Sequence, residues 1–239
     1  MPKELKSELK SALGEARGVL EDLQRLGLGE VQPADRSGDE PVCGLDPDSA
    51  ASCRNETLEE IAADLGDCHR CDLCRERHRI VFGVGNPQAD LVFVGEGPGR
   101  EEDEKGEPFV GEAGRLLDRI LLAMGFQRSD VYICNVVKCR PPRNRDPQTE
   151  EIAACGQFLQ RQLAVIRPQA IVALGKFAAQ TLLKDQTAIS RLRGTWSEYH
   201  GIPLMPTYHP AYLLRSPLAK KEVWEDMKMV MKKLREEQV

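Results

Sequence analysis

No run of apolar residues in this 239-residue chain approaches the ~20 needed to cross a bilayer, and the opening MPKELKSELK lacks the apolar centre of a secretory leader. The expectation is a soluble, intracellular chain with no membrane partner. An excess of positive charge is also missing: the formal net charge is −5, from 33 Lys and Arg against 38 Asp and Glu. That excludes a uniformly basic nucleic-acid coat, yet leaves room for a local basic groove with the acidic residues elsewhere. Histidine occurs only four times, and no internal repeat is visible. Disulfides are not expected either, although there are eight cysteines. In a reducing compartment they read as metal ligands, reactive thiols or small buried residues.

What is present is enough for one α/β core with an appendage of about 50 to 60 residues. Lys3 to Leu26 carries Leu5, Leu9, Leu13, Leu20 and Leu23 at helical spacing among charges, which predicts an amphipathic helix over residues 1–26. Residues 27–56 are rich in Gly, Pro, Asp and Ser without apolar periodicity, the composition of a flexible linker. The main domain, 57–239, opens with Thr57-Leu-Glu-Glu, a capping box for a short helix through Leu58, Ile61 and Leu65. Short apolar runs at Leu91–Val94, Val131–Val136, Ala170–Leu174 and Pro203–Pro206 each precede a helical stretch. The helices are expected at Gly111–Met124, Thr149–Ile166, Lys176–Leu183 and Pro217–Glu236. This alternation predicts a parallel sheet with helices on both faces, and places the site in the loops after Val94, Val136, Leu174 and Pro206.

Cys68-x-x-Cys71-x-x-Cys74 is compact, and Cys139 and Cys155 follow it. Four thiolates from this set suit an iron–sulfur cluster; they also suit a closed zinc site or unligated buried thiols, and spacing does not separate these. Cys43 and Cys53 fall in the linker as free thiols, while Cys134 sits in an apolar run and reads as core. The glycine-rich Gly95-Glu-Gly-Pro-Gly-Arg100 fails as a dinucleotide loop, because the third glycine of that fingerprint falls on Arg100. Its neighbouring carboxylates would repel a pyrophosphate.

Four segments taken together resemble the family 4 uracil-DNA glycosylases. They are Gly95-Glu-Gly-Pro-Gly followed by Glu-Glu-Asp103, Pro108-Phe-Val-Gly111, Asn135-Val-Val-Lys-Cys-Arg-Pro-Pro142 and His209-Pro-Ala-Tyr-Leu-Leu-Arg215. The resemblance runs from about Cys68 to Leu234 and implies a three-layer αβα sandwich with a central four-stranded parallel sheet. It also implies a [4Fe–4S] cluster on Cys68, Cys71, Cys139 and Cys155, leaving Cys74 over. The implied partner is uracil-containing DNA, single- or double-stranded, handled by a monomer in the cytoplasm near the nucleoid.

Excising uracil as a free base requires a flipped nucleotide, recognition of its Watson–Crick edge, and stabilisation of a cationic sugar and a uracil anion. Asn135, just past a strand, can accept from N3–H and donate to O4, a pairing that cytosine inverts. Phe109 offers a face for stacking, and His209 a donor to uracil O2. Glu96 and Glu102 can orient or activate water and offset sugar charge. Related motifs place an Asp where this chain has Gly97, so backbone atoms around Gly97 become candidates for holding the water beside the base. Asn144 falls where the family approaches the sugar. In Tyr212-Leu-Leu-Arg215, Leu213 or Leu214 is a wedge for the gap left by the flipped nucleotide, with Arg215 on phosphate. Lys138, Arg140, Arg143 and Arg145 form a second basic stretch able to follow the backbone. Each has an ordinary reading too: a structural Asn, a core Phe, a turn-capping His, solvated charges. A repair scaffold of the same fold without catalysis is the alternative function. A relative that traps the sugar covalently on a loop histidine is disfavoured, since Arg140-Pro-Pro-Arg-Asn-Arg-Asp-Pro147 contains none.

Overall fold

The computed structural model describes residues 56–236, so the helix expected over residues 1–26 and all but Glu56 of the linker lie outside the described residues. Thr57 starts α1 (Leu58–Leu65) with the expected capping box: its hydroxyl accepts from Glu60 N at 3.2 Å, and the Glu60 carboxylate accepts from Thr57 N at 2.8 Å. After a 3-10 turn at Asp72–Arg75 come β1 (Val84–Gly85), β2 (Leu91–Gly95), α2 (Arg100–Lys105), α3 (Glu112–Met124) and β3 (Tyr132–Asn135). A second such turn, Pro142–Asn144, leads to α4 (Thr149–Ile166), β4 (Ala170–Leu174), α5 (Lys176–Leu183) and α6 (Ile189–Leu192). There follow β5 (Ser197–Tyr199), β6 (Ile202–Thr207), α7 (Pro210–Arg215) and α8 (Lys220–Glu236).

The sheet has six strands in the order β1-β3-β2-β4-β6-β5. Its four central strands are parallel, as expected, but β1 and β5 add short antiparallel edges. The four-stranded expectation is therefore corrected to a mixed six-stranded sheet. Strands of two and three residues are too short to leave an alternation pattern in sequence. The helix expected from Pro217 begins instead at Lys220, after a 3-10 turn over Pro217–Ala219.

Alternation along the strands divides the core into two layers. Val92 and Val94 face one side with Leu58, Ile61, Phe158 and Ala178 from α1, α4 and α5. Leu91 and Phe93 face the other, with Leu117, Leu121, Val223 and Met227 from α3 and α8. Both faces of the parallel strands are thus buried, which is why they read as unbroken apolar runs. No helix among the described residues is long and apolar enough to cross a membrane.

Candidate active site and cysteine cradle

A cavity of about 430 Å³ opens at the carboxyl ends of the parallel strands, where such sheets bind ligands. Glu96, Gly97, Glu102, Phe109, Asn135, Asn144, His209 and Arg215 all line it, joined by Pro141, Arg145, Asp146 and Tyr212. Eight residues chosen from sequence therefore share one space.

Asn135 ends β3 and is 1% exposed, and its Oδ1 has no hydrogen-bond partner. Leaving a buried acceptor unpaired costs about 1–3 kcal/mol, so the empty valence marks a place for a donor on a ligand. Gly95, opposite on β2, keeps this space open, because a Cβ there would strike Asn135 Oδ1 and the Phe109 ring.

Phe109 has a left-handed backbone, with φ of 54°. Three groups hold that unfavourable conformation. Arg128 donates to Phe109 O at 3.1 Å and also to Pro108 O, while pairing with Asp118 at 3.0 Å. Glu102 Oε1 accepts from Val110 N at 2.9 Å and Gly111 N at 3.0 Å. Gly114 supplies room, since any Cβ there would collide with the Phe109 carbonyl. Glu102 thus fastens the aromatic loop with one oxygen, which fits a positioning residue better than a free base.

His209 caps α7: its Nδ1 accepts from Ala211 N at 3.1 Å, so the ring's proton resides on Nε2. Burial lowers its pKa to about 4 and keeps the ring neutral. Its ring lies 5.5 Å from that of Phe109, inclined by 28°. Gly175, at φ of 90°, lets the loop approach, as a Cβ there would sit 2.9 Å from His209 Cβ. Glu96 behaves oppositely: burial first, then the Asp146 charge, raise its carboxyl to about 7 against a smaller opposing pull from Lys176. Asn144 sits at the rim with φ of 57°, its Oδ1 accepting from Arg140 Nε at 2.7 Å.

The expected DNA-facing groups separate into two kinds. Leu213 is 1% exposed and packs in the core layer of α3 and α8, which removes it as a wedge. Leu214 and Tyr212 are each 39% exposed beside it, and Arg215 is exposed at the cavity. In the second basic stretch, Arg143 is exposed and Arg140 half-buried, but Lys138 is wholly buried and points inward. Arg145 pairs with Glu151 at 2.5 Å.

Cys68, Cys71, Cys139 and Cys155 gather on the other core layer, with α1 and α4. Three of the four sulfurs accept a hydrogen bond. Arg70 donates to Cys68 Sγ at 3.5 Å, Arg77 to Cys139 Sγ at 3.5 Å and Lys138 N to Cys155 Sγ at 3.2 Å. Arg77 also donates to Cys68 O at 2.6 Å, joining the two halves of the group. Among the described residues no three His, Cys, Asp or Glu side chains converge to hold a single metal ion. Cys74 is half-buried nearby, and Cys134 is buried in β3 as expected. Cys43 and Cys53 lie outside the described residues.

Sequence reasoning missed the supports. Besides Arg128, these include Asp226 of α8, which is 1% exposed. Thr207 Oγ1 donates to it at 2.5 Å and Arg193 Nε at 3.1 Å, tying the end of β6 two residues before His209. Their partners are 19 and 33 positions away, so no local signal announces them.

An αβα domain whose four central strands are parallel, with an amide, an aromatic face, a neutral imidazole and a carboxylate around one cavity at their carboxyl ends, defines a candidate ligand site on a doubly wound fold. The profile of the Uracil DNA glycosylase superfamily matches residues 82–228, and the chain belongs to that superfamily. Within it, the chain is similar to proteins named type-4 uracil-DNA glycosylase. The one from Archaeoglobus fulgidus is 47% identical over 183 residues, covering 73% of this chain and 92% of that protein. The one from Thermotoga maritima is 48% identical over 165 residues, covering 68% and 86%. A third, from Saccharolobus solfataricus, is 43% identical over 188 residues, covering 75% and 87%.

Proposed function

We infer that this chain is a DNA-repair glycosylase that hydrolyses the N-glycosidic bond of deoxyuridine in DNA, leaving free uracil and an abasic site. The observation that carries this reading is the buried, unpartnered Oδ1 of Asn135 inside the cavity. Uracil N3–H supplies the missing donor, and the amide N–H₂ of Asn135 meets O4. Cytosine offers an acceptor and a donor in the reverse order, leaving two buried groups unpaired.

A base lying on the face of Phe109 is parallel to that ring. The imidazole of His209, inclined to it by only 28°, lines the same cavity, and with Nδ1 taken by Ala211 N its Nε2–H is the donor left for uracil O2. As the bond between C1′ and N1 breaks, its electron pair passes to the uracil ring and charge gathers on O2. A neutral donor there strengthens most in the transition state. Glu96, whose carboxyl ionises as pH rises through about 7, then orients the attacking water, takes its proton and offsets the sugar's positive charge, with the Gly97 main chain beside it. Glu102 holds the Phe109 loop, and Asn144 stands at the sugar side of the rim. Leu214 fills the space of the flipped nucleotide, while Arg140, Arg143 and Arg215 meet phosphates.

The thiols of Cys68, Cys71, Cys139 and Cys155 fit a [4Fe–4S] cluster. Burial pushes the thiols of Cys71 and Cys155 up and that of Cys139 to about 12, so anionic sulfurs here need a shared positive centre and donors on each sulfur. Three of the four sulfurs have such donors, on Cys68, Cys139 and Cys155. Held by these four residues, such a cluster would cross-link the segment before the sheet to the loop from Cys139 to Cys155; glycoside hydrolysis itself transfers no electrons. Residues 57–239 serve as the catalytic domain in this reading, acting as a monomer in the cell interior near the nucleoid.

The test is single-turnover release of base from oligonucleotides carrying uracil, cytosine or thymine, for the parent chain and Asn135→Asp. The parent is expected to release uracil alone. Asn135→Asp loses most of that rate and gains weak release of cytosine, since a carboxylate accepts from the cytosine amino group but cannot donate to O4. A parent chain that binds uracil DNA but forms no abasic site would favour the scaffold reading.

A further inference from the structure

We propose that Lys138 is a positioning residue for uracil recognition, fixing the main chain of Asn135 to the cysteine-bearing loop and to α4. The inference rests on the reading of Asn135 as the group that meets the base. Lys138 is 0% exposed, so its burial needs a reason beyond solubility. Its Nζ donates to Asn135 O at 2.8 Å and to Gln162 Oε1 at 2.6 Å.

On the side of β3 away from β2, the pairing with β1 reaches only Val84 and Ile133. The Asn135 carbonyl thus lies past the last rung, buried and without a ladder partner, and Lys138 reaches back three residues to satisfy it. On the other side of the same peptide, Val136 N donates to Gly95 O at 2.9 Å. Both polar atoms of the Asn135–Val136 peptide are therefore held, which sets the direction in which the Asn135 side chain leaves the backbone.

Lys138 is itself immobile. Its N donates to Cys155 Sγ at 3.2 Å and its O accepts from Val81 N at 2.8 Å. Gln162, its other acceptor, is pinned by donating to Phe82 O at 3.0 Å and Tyr132 Oη at 3.2 Å. The cysteine group and the main chain of Asn135 are thus joined through one residue, by its backbone N–H on one side and its side chain on the other. A shift of about 1 Å in a recognition group can lower a rate ~10²-fold, which gives this rigidity a function.

The experiment compares Lys138→Met, which keeps the aliphatic stem and removes the donors, with Gln162→Met, which removes the second acceptor and leaves the bond to Asn135. Four quantities are measured: single-turnover uracil release, affinity for DNA carrying non-cleavable 2′-fluoro-deoxyuridine, iron content and melting temperature. Lys138→Met is expected to lose about 30-fold in rate, with affinity within about threefold and iron content unchanged. Gln162→Met is expected to melt lower yet keep its rate within about threefold. Should Lys138→Met not fold, Lys138→Gln, whose shorter side chain stops short of the Asn135 carbonyl, carries the same split between rate and affinity. A parental rate in the lysine variant, or an equal rate loss in both variants, overturns the proposal. A parent chain that releases no uracil overturns the glycosylase reading as well.

Discussion

Replacing Glu96 with Gln is expected to make the protein more stable and less active at the same pH, and both effects follow from one property. Burial holds the Glu96 carboxyl at about 7, while in the unfolded chain it ionises near 4.5. Between those values the folded chain keeps a proton that the unfolded chain has released. Native stability therefore falls as pH rises through that window, and the loss is complete above about 7. Each pH unit of the window is worth about 1.4 kcal/mol, so ionising Glu96 in place costs about 3 kcal/mol before solvent screening at the half-open cavity, and about 2 after it. Glutamine carries no such cost. Glu96→Gln and parent should melt within about 2 °C of each other at pH 5, and the variant should melt about 4–8 °C higher at pH 8.

Activity moves the other way. If ionised Glu96 takes a proton from water, the single-turnover rate of the parent rises with pH to a plateau, with an apparent pKa of about 7. Glu96→Gln loses that rise along with ~10²-fold or more of the plateau rate. Asp146→Asn removes the repulsion on Glu96 and shifts the rise to lower pH; Lys176→Met removes the attraction and shifts it higher. Melting by circular dichroism and quenched-flow uracil release, both across pH 5 to 8.5, check the two halves. A melting difference that does not change with pH, or a parental rate flat across the range, refutes the reasoning.

Three further outcomes are expected. His209→Ala should lower the single-turnover rate ~10²-fold with DNA affinity nearly unchanged, and it should keep the acid-side rise near 7, because His209 is neutral down to about 4. Leu213→Ala should cost about 2–4 kcal/mol in urea unfolding, as a buried leucine does, whereas Leu214→Ala should leave unfolding within about 0.5 kcal/mol and weaken capture of the flipped nucleotide on 2-aminopurine-reported DNA. Anaerobically purified protein should be brown with about four iron per chain. Serine at Cys68, Cys71, Cys139 or Cys155 should abolish the colour, serine at Cys74 should not, and stoichiometric zinc without iron would contradict the assignment.

The sequence revealed those parts of the fold whose physics is local. Thr149–Ile166, Lys176–Leu183 and Ala170–Leu174 have the boundaries expected of them, because apolar spacing and flanking polar residues define each from within. Leu213 and Leu214 show the limit. Which of two adjacent leucines faces the core depends on how α7 is rotated against α3, and a six-residue helix has no repeat from which to read that rotation. Lys138 was misassigned for a related reason. It stands in a run with Arg140, Arg143 and Arg145, and what draws it inward is the main-chain acceptor of Asn135 together with Gln162, 24 positions on, neither of which the run itself announces. The site residues Glu96, Asn135 and His209 were legible because each follows the carboxyl end of a parallel strand, where the fold leaves side chains free to meet a ligand.

That freedom has a cost in each case, and the costs coincide. Asn135 buries an acceptor without a partner, Glu96 holds a carboxyl where ionisation is disfavoured, His209 holds an imidazole that resists protonation, and Phe109 adopts a backbone that favours glycine. Each is a departure of about 1–3 kcal/mol from what the surrounding structure would select by itself. Scattered through a domain, such departures would be defects of packing. Here all four line one cavity, and rigid supports from distant sequence keep two of them from relaxing: Arg128 and Glu102 behind Phe109, Lys138 behind Asn135. A site held in an unfavourable state without ligand is one whose groups need no rearrangement when the base arrives, and in the proposed mechanism that preorganisation lowers the barrier to losing uracil.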